Sequence, residues 1–161
     1  SINMMDMLLN MRDYDDSTYA HSINSAIICN IFAGWLNLSK DERILATSCG
    51  LFHDVGKLKV PETILKKPGA LTKTEFEAIK RHPLDGYNLL DQYNLPEEVK
   101  NAALMHHEKC DGSGYPYGFT ADKISVCDKI SSSANFENSF ISALSLSSRR
   151  SASHRQFIMF L

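Results

Sequence analysis

The chain has 161 residues, 43% of them hydrophobic and 22% charged, with a formal net charge of -2. That length suits one domain with a sizeable core, and the composition is ordinary for a globular protein. A nucleic-acid polymer is not the expected partner, since such domains are usually clearly basic. A small anion must instead be held by bound metal or by a few placed Lys and Arg.

No apolar run approaches the roughly 18 residues that a membrane span needs. No charged-then-apolar leader opens the chain, so the expected location is the cytoplasm. The opening Ser1-Ile2-Asn3 leaves room for a longer parent protein. The four cysteines, Cys29, Cys49, Cys110 and Cys127, form no C-x-x-C pair. Neither a zinc ribbon nor a redox motif is indicated, and Cys29 and Cys49 read as small core residues.

From His21 to Leu38, the spacing of Ile23, Ile27, Ile31, Trp35 and Leu38 predicts one face of an amphipathic helix. Ser39 with Glu42 forms a capping box for a second helix, from about Asp41 to Phe52. Gly56 reads as the terminator of that helix. Pro61, Pro68 and Gly69 mark an irregular connection. Thr72 with Glu75 is another capping box, opening a helix that includes Phe76, Ile79 and Lys80. Pro83 should restart the helix there. Pro96 suits the first position of a helix running to about His107. Asp111 to Gly118 is turn-rich and must be a loop, and Thr120 caps an expected last helix through Ile130 and Ala134. No stretch alternates strictly, so no sheet is expected and the fold class is all-α. From residue 131 to 161 the chain turns serine-rich and has no assigned helices.

Six histidines punctuate this pattern: His21, His53, His82, His106, His107 and His154. Neutral imidazole is a common metal ligand, and carboxylates complete such sites. Taken singly, each is more often a surface or satisfied core residue. Together, four predicted helices each deliver one or two candidate ligands, and a bundle can converge them on one core site. His53-Asp54 followed by Gly56 and Lys57 sets ligands beside a cation, a sensible neighbourhood for a phosphate.

His53-Asp54-Val55-Gly56-Lys57 resembles the HD-x-G-K signature of HD phosphohydrolases. His106-His107-Glu108 through Asp111-Gly112 to Gly114-Tyr115-Pro116 resembles the HHE-x-x-DG-x-GYP signature of the HD-GYP subfamily. The segments 65–72 and 79–83 also match that family's pattern, and the resemblance is strongest over 14–130. It implies a single HD-GYP domain over 1–161, an HD-domain-like helical bundle with a metal site in its core. It also implies a phosphodiesterase that hydrolyses the second messenger cyclic di-GMP to linear pGpG, GMP or both. The implied metal ligands are His21, His53, Asp54, His82, His106 and His107, with Asp54 bridging two divalent transition-metal ions, iron or manganese favoured. Asp54 and Lys57 are the implied catalytic residues. Lys57, Gly114, Tyr115, Pro116 and Arg150 are implied on the substrate side. Tyr115 reads equally as a loop aromatic packed on the core.

Three positions depart from the family pattern. Ser17 stands where some members carry a Glu for a third metal, so two metals are expected. Asp13, Asp15 and Asp16 nearby read as solvated helix-start residues. The late ligand falls on Asn135, or on Asp128 in an alternative register. Arg149-Arg150 is at best a remnant of the family's arginine string. The alternative function is therefore a weakened or inactive module that binds nucleotide or a signalling partner, such as a diguanylate cyclase, sensory or receiver domain.

Overall fold

The computed structural model describes residues 4–125; their regular structure is helical, with only an isolated bridge between Asp111 and Thr120 as extended pairing. In chain order the helices are α1 (Met4–Tyr14), α2 (Asp16–Trp35), α3 (Lys40–Phe52), α4 (Glu62–Leu65), α5 (Lys73–Ile79), α6 (His82–Asp91) and α7 (Glu97–Met105). A 3-10 turn, Val55–Lys59, follows α3. Among the described residues no helix is long and apolar enough to cross a membrane.

Both predicted capping boxes are present. The Ser39 hydroxyl accepts the Glu42 N–H and Glu42 accepts the Ser39 N–H; Thr72 and Glu75 do the same for α5. Pro83 lies in the first turn of α6 and Pro96 caps α7, as a residue without an N–H donor should. Asp15 caps α2 by accepting the Thr18 N–H, in keeping with a helix-start role. The N-terminal α1 buries Met7 and Met11, one turn apart, although no helix was expected there.

The face of α2 differs from expectation. Ile27, Ile31 and Trp35 are 53%, 38% and 44% exposed. The helix buries Ser22, Ser25, Ala26, Cys29, Phe32 and Ala33 instead. It packs along α3, whose buried side is Ala46, Cys49, Gly50 and Phe52. Small residues let two helix backbones approach closely, and that approach won over the larger isoleucines.

Gly56 also acts differently from a helix terminator. Helix α3 already ends at Phe52, and Gly56 sits inside the 3-10 turn. A Cβ there would collide with the His82 carbonyl oxygen and lie 2.5 Å from the Gly86 amide nitrogen. Its missing side chain lets the Val55–Lys59 turn press against α6. The core at this junction joins Met7, Met11, Phe52, Val55, Leu90 and Val99. Beyond Thr120, residues 121–124 form turns and a bend; the rest of the expected last helix lies outside the described residues.

Candidate metal centre

Four segments bring their polar ends to one point. His53 caps the C-terminus of α3 and Asp54 opens the 3-10 turn. His82 is the first residue of α6, and His106 caps the C-terminus of α7, with His107 next. His21 projects from the second turn of α2. Two ligand groups result: Asp54 with His82, His106 and His107, and Asp54 with His21 and His53, each with its ligand atoms within 4.8 Å of one another. Asp54 is common to both. Its Oδ1 lies 3.3 Å from His82 Nε2 and 3.5 Å from His106 Nε2, and its Oδ2 lies 3.4 Å from His53 Nε2 and 3.6 Å from His21 Nε2.

The histidines are oriented from behind. His53 Nδ1 meets the Gly50 carbonyl at 2.8 Å, His82 Nδ1 the Ile79 carbonyl at 2.7 Å, and His106 Nδ1 the Ala103 carbonyl at 2.9 Å. A carbonyl only accepts, so each Nδ1 carries the proton. In its neutral form each ring then presents a bare Nε2 to the centre. His82 Nε2 and His106 Nε2 face each other at 3.0 Å with no proton to share in those neutral forms. Asp54 Oδ1 is buried without a hydrogen-bond partner. Opposed lone pairs and an orphaned carboxylate oxygen form an arrangement that a divalent cation satisfies and that is costly without one. The residues therefore fit metal.

The electrostatics agree. Burial pushes His106 down to about 4, against a smaller upward pull from Asp54. Burial, with the neighbouring His106 and His82, pushes His107 down to about 2. Both rings are thus neutral and able to ligate at physiological pH. Burial alone would raise Asp54, but the charge that His53 carries when protonated and the Lys57 ammonium overcome it and hold the carboxyl well below its ordinary range.

Residues 3–136 match the HD domain family. The chain belongs to that family and is of its HD-GYP type. It is 38% identical over 125 residues to a cyclic di-GMP phosphodiesterase of Pseudomonas aeruginosa, covering 77% of this chain and 30% of that protein. It is 36% identical over 118 residues to a 3'3'-cGAMP-specific phosphodiesterase of Vibrio cholerae, covering 73% and 26%. The chain thus spans about a third or less of the length of these curated relatives. The fold is similar to the HD domain of an L. monocytogenes phosphodiesterase solved with cyclic-di-AMP. That match has a TM-score of 0.62 at 18% identity, over 80% of this chain and 68% of that one.

In this HD-GYP domain the loop after α7 is organised by Glu108, to which the sequence reading gave no role of its own. Glu108 is 5% exposed. Its Oε1 accepts the N–H groups of Tyr117 and Gly118 at 2.7 and 3.1 Å, and its Oε2 accepts that of Phe119 at 2.9 Å. The signal lay in the third letter of the His106-His107-Glu108 string. An acidic residue beside a Gly-rich loop can gather backbone donors. Gly114 packs against the same segment: a Cβ there would lie 2.5 Å from Glu108 Cα and from the His107 carbonyl oxygen. Tyr115 is neither remote nor fully buried. Its ring stacks on His107 at 4.6 Å, and its N–H donates to the His107 carbonyl. Burial and the Asp54 charge raise its hydroxyl to about 12. Pro116 follows through a cis peptide bond and is exposed. Lys57 Nζ donates to Asp54 Oδ2 at 2.7 Å.

Ser17, at the third-metal position, is exposed on the first turn of α2. Asn135, Asp128, Arg149, Arg150 and His154 lie outside the described residues. A separate cleft of about 380 Å³, lined by Lys59, Arg81, Asp85 and Asn88 among others, contains none of the candidate ligands.

Proposed function

We propose that this HD-GYP domain, spanning 1–161 with a divergent segment over 131–161, hydrolyses cyclic di-GMP to linear pGpG, GMP or both in the cytoplasm. The reading is supported above all by Asp54, a buried carboxylate shared by two groups of imidazoles. The implied ions are two divalent transition metals, iron or manganese, held by His21, His53, Asp54, His82, His106 and His107. A late ligand comes from Asn135, or from Asp128 in the other register. When bound, such a pair supplies Lewis acidity at the phosphoryl group and lowers the pKa of a water nucleophile.

The chain's own residues supply the rest. Asp54 stays ionised and offers one oxygen to each group. Lys57, already beside Asp54, offers a cation to the charge that develops on the phosphoryl oxygens. Tyr115 keeps its proton at neutral pH and serves as a donor on the substrate side. Gly114 and Pro116 shape the loop that carries it, and Arg150 is assigned to the substrate phosphate. Sensory, receiver or diguanylate cyclase domains are the expected protein partners.

The test is an assay of the purified protein, loaded with manganese or iron, on cyclic di-GMP and 3'3'-cGAMP in parallel, with products resolved by chromatography. Cleavage of cyclic di-GMP, lost on chelation and restored by metal, is expected. Preference for 3'3'-cGAMP would move the substrate assignment to that dinucleotide. Bound metal without cleavage of either would favour a binding module. In the same assay, Asn135→Asp should raise metal content and rate by about 10-fold or more if Asn135 is the late ligand. If Asp128 holds that place, Asp128→Asn should abolish metal binding instead.

A further inference from the structure

Beside the metal centre, a ladder of rings and one cation leads outward. The His107 ring stacks on the Tyr115 ring with centroids 4.6 Å apart and 18° between planes. Lys80 Nζ lies over the Tyr115 ring, 5.8 Å from its centroid. The same ammonium lies over the Phe76 ring at 5.0 Å, and Phe76 is 46% exposed. Lys80 and Phe76 come from the end of α5, just before the chain turns into His82. The Lys80 ion pair with Glu77, at 3.1 Å, is a surface pair whose side chains are 32% and 56% exposed. Such a pair holds a lysine weakly.

The metal ligands and Lys57 account for one phosphate of a cyclic dinucleotide. That substrate has a second phosphate and two flat bases, which need a cation and an aromatic face a short way from the reacting bond. We propose that Lys80 and Phe76 form the subsite for the second nucleotide, with Lys80 binding the non-scissile phosphate and Phe76 stacking on a purine. The inference rests on the cyclic dinucleotide reading above. What singles out these two groups is their placement: Phe76 keeps nearly half its surface open to a ligand, and Lys80 bridges its ring to that of Tyr115, which stacks on the metal-ligand candidate His107. Stacking platforms of this kind tolerate any base, because every base has a π face. The subsite therefore selects for two-phosphate cyclic substrates over small phosphodiesters, and not for guanine over adenine.

The test uses the metal-loaded protein and a hydrolysis-resistant bisphosphorothioate of cyclic di-GMP as the binding probe. Phe76→Ala should weaken binding about 10-fold, while Phe76→Trp should retain it. Lys80→Met should weaken binding about 10-fold and flatten its salt dependence, and Lys80→Arg should restore both. For turnover, both loss variants should lower kcat/KM on cyclic di-GMP by a larger factor than on bis(p-nitrophenyl) phosphate, which has one phosphate and no purine. Equal losses on the two substrates would show that Lys80 merely holds Tyr115 in place, and would overturn the subsite. Unchanged binding in Lys80→Met and Phe76→Ala would overturn it as well. If the wild-type protein binds the probe, with these variants impaired, but cleaves neither dinucleotide, the subsite stands and the phosphodiesterase reading falls. A wild-type protein that cleaves a dinucleotide but does not bind the probe overturns the subsite alone, and one that neither binds the probe nor cleaves either dinucleotide defeats both.

Discussion

Three of the histidines in the candidate metal centre are each held from behind by a helix carbonyl, whereas at the end of the loop from Lys109 to Phe119 three successive N–H groups converge on one carboxylate, that of Glu108. In the centre, the supports come from three separate segments and do not depend on one another. A helix end offers unsatisfied carbonyls at no extra cost, and the ring that takes one is pinned in tautomer and direction. The loop's last three residues have no regular structure to satisfy their donors, so a buried anion does it. Damage to the centre should therefore be a matter of chemistry, and damage to the loop a matter of shape.

The largest effect is expected at Asp54. Replacing it by Asn removes the one charge shared by both ligand groups while leaving the volume almost unchanged. Metal content measured by mass spectrometry should fall to background, with loss of turnover of about 100-fold or more. The fold should survive, since the isosteric amide still fills the space. Full metal occupancy in Asp54→Asn would mean that the ions, if any, sit elsewhere.

Glu108→Gln should separate the two regions. The neutral amide has one accepting oxygen where the carboxylate offers two to three N–H groups. Metal content should stay near wild type, because Glu108 belongs to neither ligand group. Turnover of the dinucleotide should drop about 10-fold, the scale of a lost hydrogen bond to a buried charge. Metal loss in parallel with activity would show that loop and centre are one cooperative unit.

The same contrast explains what the sequence displayed. The capping boxes at Ser39 and Thr72 were legible because they depend on residues three apart and nothing else. The buried face of α2 was not. Ile23, Ile27 and Ile31 make the more apolar stripe, yet the choice of face was decided by how closely α3 could approach. Gly56 failed for a similar reason: its role depends on the His82 carbonyl, which lies far along the chain. In the site, the ligand types were visible as His-Asp and His-His pairs. That one carboxylate faces both groups is a property of four converging segments, and only the resemblance anticipated it. The role of Glu108 required knowing where the N–H groups of residues 117–119 would turn.

The smallest expected effect is a pH dependence confined to the centre. His106 is shifted from 6.5 to about 4 by burial, so the folded state refuses a proton that the unfolded chain accepts between those values. In that window the unfolded state binds more protons, and stability falls as the pH falls. His107, pushed down to about 2, acts in the same direction and further into acid. Asp54 also acts in that direction, but only as the pH falls below the ordinary carboxylate range through its own lowered value. Glu75, shifted from 4.5 to about 2, likewise contributes only below the window. Acidifying chelator-stripped protein from about pH 7 to about pH 5 therefore tests the histidines before the carboxylates. The urea midpoint should move down by a small but measurable amount. Metal-loaded protein, although more stable at each pH, should show a larger shift over the same range, because bound ions exclude protons from the Nε2 lone pairs of the folded state alone and are themselves held less tightly as the pH falls. The loop variant Glu108→Gln should keep that difference intact, since it leaves both ligand groups whole. Equal midpoints for stripped protein at the two pH values would show that the imidazoles are not buried as neutral rings, and would remove the electrostatic case for the centre.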